Sequence, residues 1–442
     1  MLENGVGNGR LANVESIVKE LEVDKENVQR ITNHFVKQMK HGLKAKRSYQ
    51  IPSFVTEIPT GLEKGLVLAV DLGGTNCRDA ADEICLPVRV CVLANDAVGT
   101  LLTKAYTAKK SDSALAAIIL GTGTNAAYIE DITNIQRLDI GDKGTTQYPG
   151  GIMVINTEWG SWDDGLEVLP QTRFDKLIDE NSSDPGCGLL EKMVSGMYLG
   201  ELLRLIILDL VLSGTLGISF AEDSPLYRYT GVGTSFLTKI LEFGLEDTEG
   251  ALAYLTEKLA IKEATTQQIQ VIQTLARAII KRSARLVGAG LAAIIIQSGR
   301  LQPKDTTQKT STTAKTEEVV QLHAQQKRNG RISSLMRLIR SICGCIRPDD
   351  DSLIPAAKSP YESEEVIEST ILVEEEIDVA VDGSLFEFHA EFEELMRGAL
   401  RDVVEISAVN ERRVRIELTK DGSGTGAALI AAVAGDASYD EK

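Results

Sequence analysis

The chain has 442 residues, 43% of them hydrophobic and 25% charged, so it can bury a core large enough for more than one domain. Its 64 acidic and 47 basic residues leave a net charge of −17, which repels phosphate backbones and disfavours nucleic-acid binding. No apolar run reaches membrane-spanning length, no signal-peptide pattern opens the chain, and the six cysteines show no zinc spacing. We therefore expect a cytoplasmic protein with reduced thiols and no transmembrane segment.

Residues 1–60 are predicted to be an N-terminal helical segment. Apolar residues recur at three- and four-residue steps from Val14 to Met39, which is the period of an amphipathic helix. Gly42 and the basic cluster Lys44–Arg47 are typical of a helix end. An extended segment should follow, because a residue that precedes proline is pushed towards β conformation.

Two apolar runs end in glycine and threonine. Leu66–Leu72 leads into Gly73–Asn76, and Ala116–Leu120 leads into Gly121–Asn125 before an apolar stretch resumes. Each run predicts a strand, a glycine turn and a second strand.

Further strands and helices alternate along the chain. Val88–Leu93 is predicted to be a short strand, and Leu189–Leu212 and Thr266–Arg285 are predicted to be helices. A glycine-spaced apolar segment then runs to Ile296. This alternation indicates an α/β architecture.

Residues 301–376 differ from the rest of the chain. The first half is rich in Gln, Thr, Lys and Arg, and the second half is strongly acidic. Such a stretch cannot bury enough apolar surface to offset its ordering entropy, so we expect a disordered insertion. Ile332–Ile346 is an exception, since it could form an amphipathic helix for a protein partner or a membrane surface as well as a plain linker.

The glycine turns suggest a phosphate site, because backbone without a Cβ can approach phosphate closely. One such turn is usually an ordinary hairpin, but two of them favour phosphoryl transfer. Asp71 ends an apolar strand, where it could hold Mg²⁺ directly or through water. No Walker A sequence occurs, which excludes a P-loop enzyme. Near the C-terminus, Gly422–Gly426 precedes a helical run, Ala427–Val433, and predicts a glycine-rich loop that caps a helix and covers adenosine.

Together these motifs resemble the eukaryotic hexokinase family, and above all fungal glucokinases and hexokinases. The resemblance covers most of residues 15–300 and 378–433, with the motifs in the family's order. They are Ile58–Gly61, Leu68–Asn76, Leu86–Val90, Asn95-Asp96, Gly121–Tyr128, Asn156–Gly160, Glu191–Glu201, Val381–Leu385 and Asp421–Ala428. The resemblance implies the actin-like ATPase (ribonuclease H-like) fold, which is a two-lobed α/β sugar kinase fold.

The resemblance also implies an activity: transfer of the γ-phosphate of Mg-ATP to the 6-hydroxyl of glucose or a related hexose, in glycolysis. Asp96 would be the general base, since an ionised carboxylate beside a neutral amide can take the hydroxyl proton. The implied sugar ligands are Asn95, Asn125, Glu158 and Glu191. The implied ATP ligands are Asp71 (also for Mg²⁺), Gly73, Gly74, Thr75, Asn76, Thr122, Gly422 and Ser423.

The chain departs from the family after Arg78. Only Asp79–Cys85 stands before Leu86, where the family has a long stretch with Ser-Phe-Pro and Thr-Lys-Gly-Phe sugar loops. The small lobe is therefore expected to be truncated. An alternative is a catalytically inactive, regulatory or sugar-sensing protein, with the insertion as a partner site; a product that folds poorly is a third. The expected division is 1–60 (helical), 61–110 (small-domain remnant), 111–300 (large domain), 301–376 (insertion) and 377–442 (rest of the large domain with the adenosine loop).

Overall fold

The computed structural model describes residues 13–59, 92–108, 113–138, 151–302 and 375–437, which all fall in one compact unit. A six-stranded mixed sheet lies at the centre of this described part. Its strands are β1 (Ile51–Pro52), β2 (Ala114–Leu120), β3 (Thr124–Asp131), β4 (Ile152–Asn156), β7 (Ile377–Asp382) and β8 (Val414–Leu418). They lie in the order β1-β4-β3-β2-β7-β8, in which β2, β7 and β8 run parallel, whereas β1, β3 and β4 pair antiparallel. A separate ribbon pairs β5 (Ser219–Phe220) with β6 (Ile261–Glu263).

Helices cover both faces of this sheet. They are α1 (Lys25–Lys44), α2 (Asp96–Thr107), α3 (Arg173–Glu180), α4 (Leu189–Val194), α5 (Gly196–Leu212), α6 (Thr234–Glu242), α7 (Thr248–Leu259), α8 (Thr266–Gln297), α9 (Ser384–Phe388), α10 (Phe392–Asp402), α11 (Ser407–Glu411) and α12 (Gly422–Ala437). Residues 13–20 are also helical. None of the helices in the described part is long and apolar enough to cross a membrane.

The side chains of each strand divide between two hydrophobic clusters, because successive residues of a strand point to opposite faces. In β2, Ala116, Ile118 and Leu120 join the larger cluster, which also contains the core residues of α1, α8 and α10. Ala117 joins the smaller cluster, together with apolar residues of α2 and with Ile430 of α12. The near-continuous apolar run in β2 therefore reflects a strand buried on both faces.

The structure confirms the strand, turn and strand predicted around residues 116–129, which it assigns to β2 and β3. The apolar period from Val14 to Met39 corresponds to two helices, residues 13–20 and α1, with a break between them. Asp24 caps α1 by accepting a hydrogen bond from the backbone N–H of Asn27.

Two helix predictions were wrong in their bounds. The predicted helix 189–212 is two helices, because Ser195 is extended and the N–H of Gly196 donates to the turn carbonyl of Gly121. The helix predicted for 266–285 continues to Gln297 through Gly288 and Gly290. A Cβ at Gly288 would lie only 2.6 Å from a backbone oxygen of α10, so this glycine permits close helix packing.

Other predicted segments lie outside the described residues. These are Leu66–Asn76, most of the strand predicted at Val88–Leu93, and nearly all of the insertion predicted at 301–376.

Candidate functional site

The ends of five strands meet at one edge of the sheet. The parallel strands β2, β7 and β8 end there together, since Ile119 pairs with Asp382 and Val381 pairs with Leu418. Because β3 is antiparallel to β2 and β4 is antiparallel to β3, β3 begins and β4 ends at this same edge. In open α/β sheets, ligands bind outside the carboxyl ends of the parallel strands.

The second predicted phosphate turn, Gly121–Gly123, connects β2 to β3 at this edge. The N–H of Gly121 donates to the carbonyl of Gly123 at 3.1 Å. The carbonyls of Gly121 and Thr122 accept from the N–H groups of Gly196 and Met197 at 2.9 and 3.0 Å. The turn is thereby attached to the first residues of α5, and the side chain of Thr122 is exposed at its tip.

Glu191 of α4 lies directly behind this turn. Its Oε2 accepts a hydrogen bond from the backbone N–H of Thr124 at 3.0 Å, and a Cβ at Gly123 would approach that oxygen to 2.7 Å. A side chain at position 123 would therefore require the Glu191 carboxylate to shift. Glu191 also affects Tyr198. The pKa of Tyr198 is raised, mainly by burial and next by the negative charge of Glu191, so the Tyr198 hydroxyl stays protonated and able to donate.

A relay of side-chain amides links the other predicted sugar ligands. Asn125 Nδ2 donates to Asn156 Oδ1 at 2.8 Å and lies 3.3 Å from Asn95 Oδ1. Asn156 Nδ2 donates in turn to Glu158 Oε1 at 2.8 Å. Asn125 and Asn156 are buried, whereas Asn95 and Glu158 are half-buried. The structure thus joins the predicted ligands Asn95, Asn125 and Glu158, through Asn156, in one hydrogen-bonded group of four side chains, which we call the amide relay.

The predicted base, Asp96, is the first residue of α2 and follows the N-cap, Asn95. Both side chains accept from the backbone N–H of Ala97, at 2.7 Å for Asp96 Oδ1 and 2.9 Å for Asn95 Oδ1. The helix dipole favours negative charge at this end, and the Asp96 side chain is exposed. The position therefore suits an ionised carboxylate that can take a proton from a ligand.

The glycine-rich segment near the C-terminus packs against this same helix. A Cβ at Gly99 of α2 would lie 2.7 Å from the carbonyl oxygen of Ser423, and one at Gly426 would lie 1.8 Å from the carbonyl oxygen of Gly99. Thr103 Oγ1 donates to the carbonyl of Gly422 at 2.7 Å. The predicted adenosine residues Gly422 and Ser423 are thus in direct contact with the helix that carries Asp96.

The prediction of a loop ahead of a helix that starts near Ala427 was wrong. Helix α12 begins at Gly422, so the glycines form its first turns. Their missing side chains let α12 approach α2 closely enough for backbone contact, which explains a helix with an otherwise unfavourable glycine content.

Three residues outside the predicted set shape the site. Asn156 links Asn125 to Glu158, and Thr124 supplies the N–H that holds Glu191, while its Oγ1 accepts from Trp159 Nε1 at 3.0 Å. A signal for Asn156 was present, since it stands two positions before Glu158 in a recognised motif. The contact between Asn156 and Asn125 could not be predicted without knowing that β4 pairs with β3.

The first predicted phosphate turn, with Asp71, Gly73, Gly74, Thr75 and Asn76, lies outside the described residues. Among the residues that are described, no group of three or more His, Cys, Asp or Glu side chains could hold a metal ion. The assignment of Mg²⁺ to Asp71 stays a prediction.

Known proteins of one family match most of this chain. Two sequence models of the hexokinase family match the chain, one over residues 115–433 and one over residues 13–84. Residues 85–114, which include Asn95 and Asp96, lie between the two matches. A glucokinase of Aspergillus niger is 35% identical over 366 residues, which cover 81% of this chain and 60% of that protein.

Two further relatives are matched over almost their full length. Glucokinase-1 of Saccharomyces cerevisiae is 26% identical, with 95% of this chain and 97% of that protein covered. That alignment runs over 561 residues, more than the 442 of this chain, so the relative contains stretches that have no counterpart here. The structure of a Schistosoma mansoni hexokinase in complex with glucose superposes with a TM-score of 0.67 at 25% identity, covering 97% of this chain and 99% of that one.

Proposed function

The chain belongs to the hexokinase family, and we propose that it transfers the γ-phosphate of ATP to the 6-hydroxyl of glucose or a related hexose. The observation that carries the proposal is the convergence of the amide relay, Glu191 and Asp96 on the sheet edge next to a glycine turn. Three neutral amides and two carboxylates beside an exposed base suit a ligand with several hydroxyl groups. We also propose that it acts in the cytoplasm, as the cysteine pattern predicts.

In the proposed reaction, the carboxylate of Asp96 takes the proton of the sugar 6-hydroxyl. The hydroxyl oxygen bonds to the γ-phosphorus, the bond to the β,γ-bridging oxygen breaks, and ADP leaves with that oxygen. Asn95, Asn125, Glu158 and Glu191 bind and orient the other sugar hydroxyls. Orientation matters here because an in-line displacement requires the reacting atoms to be held close and aligned.

The described residues on the nucleotide side fit ATP. The Cβ positions of Gly121 and Gly424 have open space around them, and Gly424 lies in the first turn of a 16-residue helix. Helix N-termini and glycine turns bind phosphates through their backbone N–H groups. Hexokinases use ATP and generally Mg²⁺, which neutralises charge on the phosphates. We propose that Asp71 holds this ion, that Gly73–Asn76 and Thr122 bind the phosphates, and that Gly422 and Ser423 bind adenosine.

The first test is ADP release from Mg-ATP by the purified chain, with and without glucose. We expect glucose-dependent release that falls by about 100-fold or more in Asp96→Asn, because general-base catalysis contributes about that much. The matched control is Asp223→Asn, since Asp223 is an exposed aspartate outside the site. Folded protein that binds glucose but releases no more ADP than Asp96→Asn would contradict the enzyme proposal and support the inactive, sugar-sensing alternative.

A further inference from the structure

We propose that Asn156 is a positioning residue, which connects Asn125 to Glu158 and thereby holds Glu158 ready to accept a hydrogen bond from a sugar hydroxyl. The inference rests on the proposed function, because it concerns the same hexose site. Asn156 is buried, with 8% of the residue exposed, so it would act on the sugar through Asn125 and Glu158.

The direction of the relay is set by two backbone N–H groups. Asn95 Oδ1 accepts from the N–H of Ala97, and Asn125 Oδ1 accepts from the N–H of Ala126 at 2.8 Å. A backbone N–H can only donate, so the oxygen of each side chain must face it and the nitrogen must face the other way. The NH₂ group of Asn125 is therefore the donor, and its two hydrogens point to Asn95 Oδ1 and Asn156 Oδ1.

The orientations of Asn156 and Glu158, at the other end of the amide relay, follow in the same way. Asn156 accepts from Asn125 through Oδ1, so it must present its NH₂ group to Glu158. Glu158 Oε1 is then occupied as an acceptor at 2.8 Å, and the second carboxylate oxygen can accept from a sugar hydroxyl. A carboxylate of Glu158 can only accept hydrogen bonds, so this position favours a ligand whose hydroxyl group donates one.

Glu158 needs this support because its backbone provides little. Its φ of 48° is in the left-handed region, and its side chain makes no capping hydrogen bond to the short helix that follows. Among the described residues, Asn156 is the one side chain that donates to its carboxylate. A hydrogen bond to a carboxylate is among the stronger ones, so its loss should be visible in sugar binding.

Asn156→Asp tests the inference through a change in pH dependence. The substitution places a second carboxylate about 3 Å from Glu158, and two such groups cannot both be ionised without repulsion. At about pH 8 we expect the glucose Kd, measured by calorimetry, to rise about 10- to 100-fold. Near pH 5.5 a shared proton should restore the hydrogen bond and most of the affinity. The other ionisable groups of the site, Asp96 and Glu191, are common to both proteins, so their effects cancel in the ratio of the two Kd values.

A second substitution provides the rescue. In Asn156→Asp combined with Glu158→Gln, the new glutamine NH₂ can donate to the new aspartate, and its oxygen can still accept from the sugar. We expect this double variant to bind glucose at about pH 8 at least about 5-fold more tightly than Asn156→Asp alone. The matched control is Asn134→Asp, because Asn134 Nδ2 also donates to a glutamate, Glu130, at 2.8 Å, and neither residue belongs to the relay.

The outcomes separate this inference from the proposed function. An Asn156→Asp Kd that equals the unsubstituted value at every pH, or that the second substitution does not improve, would overturn the positioning role. If the unsubstituted chain binds no glucose, the proposed function fails. The pH profile of urea unfolding then tests the Asn156–Glu158 hydrogen bond without any ligand, since only this bond predicts that Asn156→Asp regains stability near pH 5.5.

Discussion

The contact between α2 and α12 should position the nucleotide residues, and Gly99→Ala tests this directly. The new Cβ would lie 2.7 Å from the carbonyl oxygen of Ser423 and 3.2 Å from its Cα. Both are backbone atoms, so no side chain can move aside to relieve the overlap. The two helices must therefore separate by roughly half an ångström or more to reach an ordinary van der Waals distance.

The expected magnitude follows from two opposing terms. Overpacking of this kind costs about 1–3 kcal/mol, whereas alanine is favoured over glycine inside a helix by about 1 kcal/mol. We expect a net loss of about 0–2 kcal/mol in the free energy of unfolding. Because the displaced residues include Gly422 and Ser423, the KM for ATP should rise by about 10-fold, which corresponds to about 1.4 kcal/mol. Glucose affinity should stay within about 2-fold, because Gly99 is not part of the amide relay.

The assay combines ATP-dependent kinetics with calorimetric glucose binding and urea unfolding. The matched control is Gly398→Ala in α10, where the added Cβ would meet only the ends of arginine side chains, at 3.8 Å. This control should stabilise the protein by about 0.5–1 kcal/mol and leave both ligands unaffected. If Gly99→Ala leaves the KM for ATP within about 2-fold, or weakens glucose binding as much as ATP binding, the contact does not position the nucleotide residues.

Two further predictions concern buried ion pairs. Arg282 is fully buried and donates two hydrogen bonds to Asp175, at 2.6 and 2.7 Å. Arg282→Met should therefore lower the free energy of unfolding, measured by urea titration, by about 3–5 kcal/mol. The matched control, Arg173→Met, removes an exposed ion pair and should change that free energy by less than about 1 kcal/mol. Burial alone would raise the pKa of Asp378, but the hydrogen bonds from Arg415 and Ser113, together with the positive charges of Lys104 and Arg415, outweigh burial and hold that pKa below its ordinary value. The stability that results is present above the unfolded-state pKa of about 3.9 and is lost as pH falls through the folded-state pKa. Arg415→Met should therefore lower the free energy of unfolding at neutral pH. It should also make the decrease in that free energy below about pH 4 smaller than in the unsubstituted chain. An unchanged acid limb of the pH–stability curve in Arg415→Met would contradict this assignment.

Local sequence patterns predicted which helices and strands form better than they predicted the residues at which these begin and end. The strand, turn and strand of β2 and β3 followed from an apolar run that ends in glycine and threonine. The C-terminal end of α8 and the start of α12 could not be predicted in this way, because Gly288 and Gly426 resemble helix breakers in the sequence. In the structure each glycine is retained inside a helix by a neighbouring backbone that approaches too closely for any side chain.

The residues of the candidate site were also predicted better than the contacts between their side chains. Motif order identified Asn95, Asn125, Glu158 and Glu191, which the structure then brings to one edge of the sheet. The role we infer for Asn156 was not predictable, since it depends on which strand lies beside β3 and on the direction of each amide. Such information is absent from a linear pattern, because hydrogen-bond direction depends on partners that are distant in sequence.

The central claim is phosphoryl transfer to a hexose, and product identification tests it most directly. The purified chain would be incubated with Mg-ATP and glucose, and the products would be identified by phosphorus NMR beside Asp96→Asn and Asp223→Asn. The account predicts hexose 6-phosphate in equal amount to ADP from the unsubstituted chain and from Asp223→Asn, with little or none from Asp96→Asn. Folded protein that yields no hexose phosphate, or equal yields with and without Asp96, would contradict it.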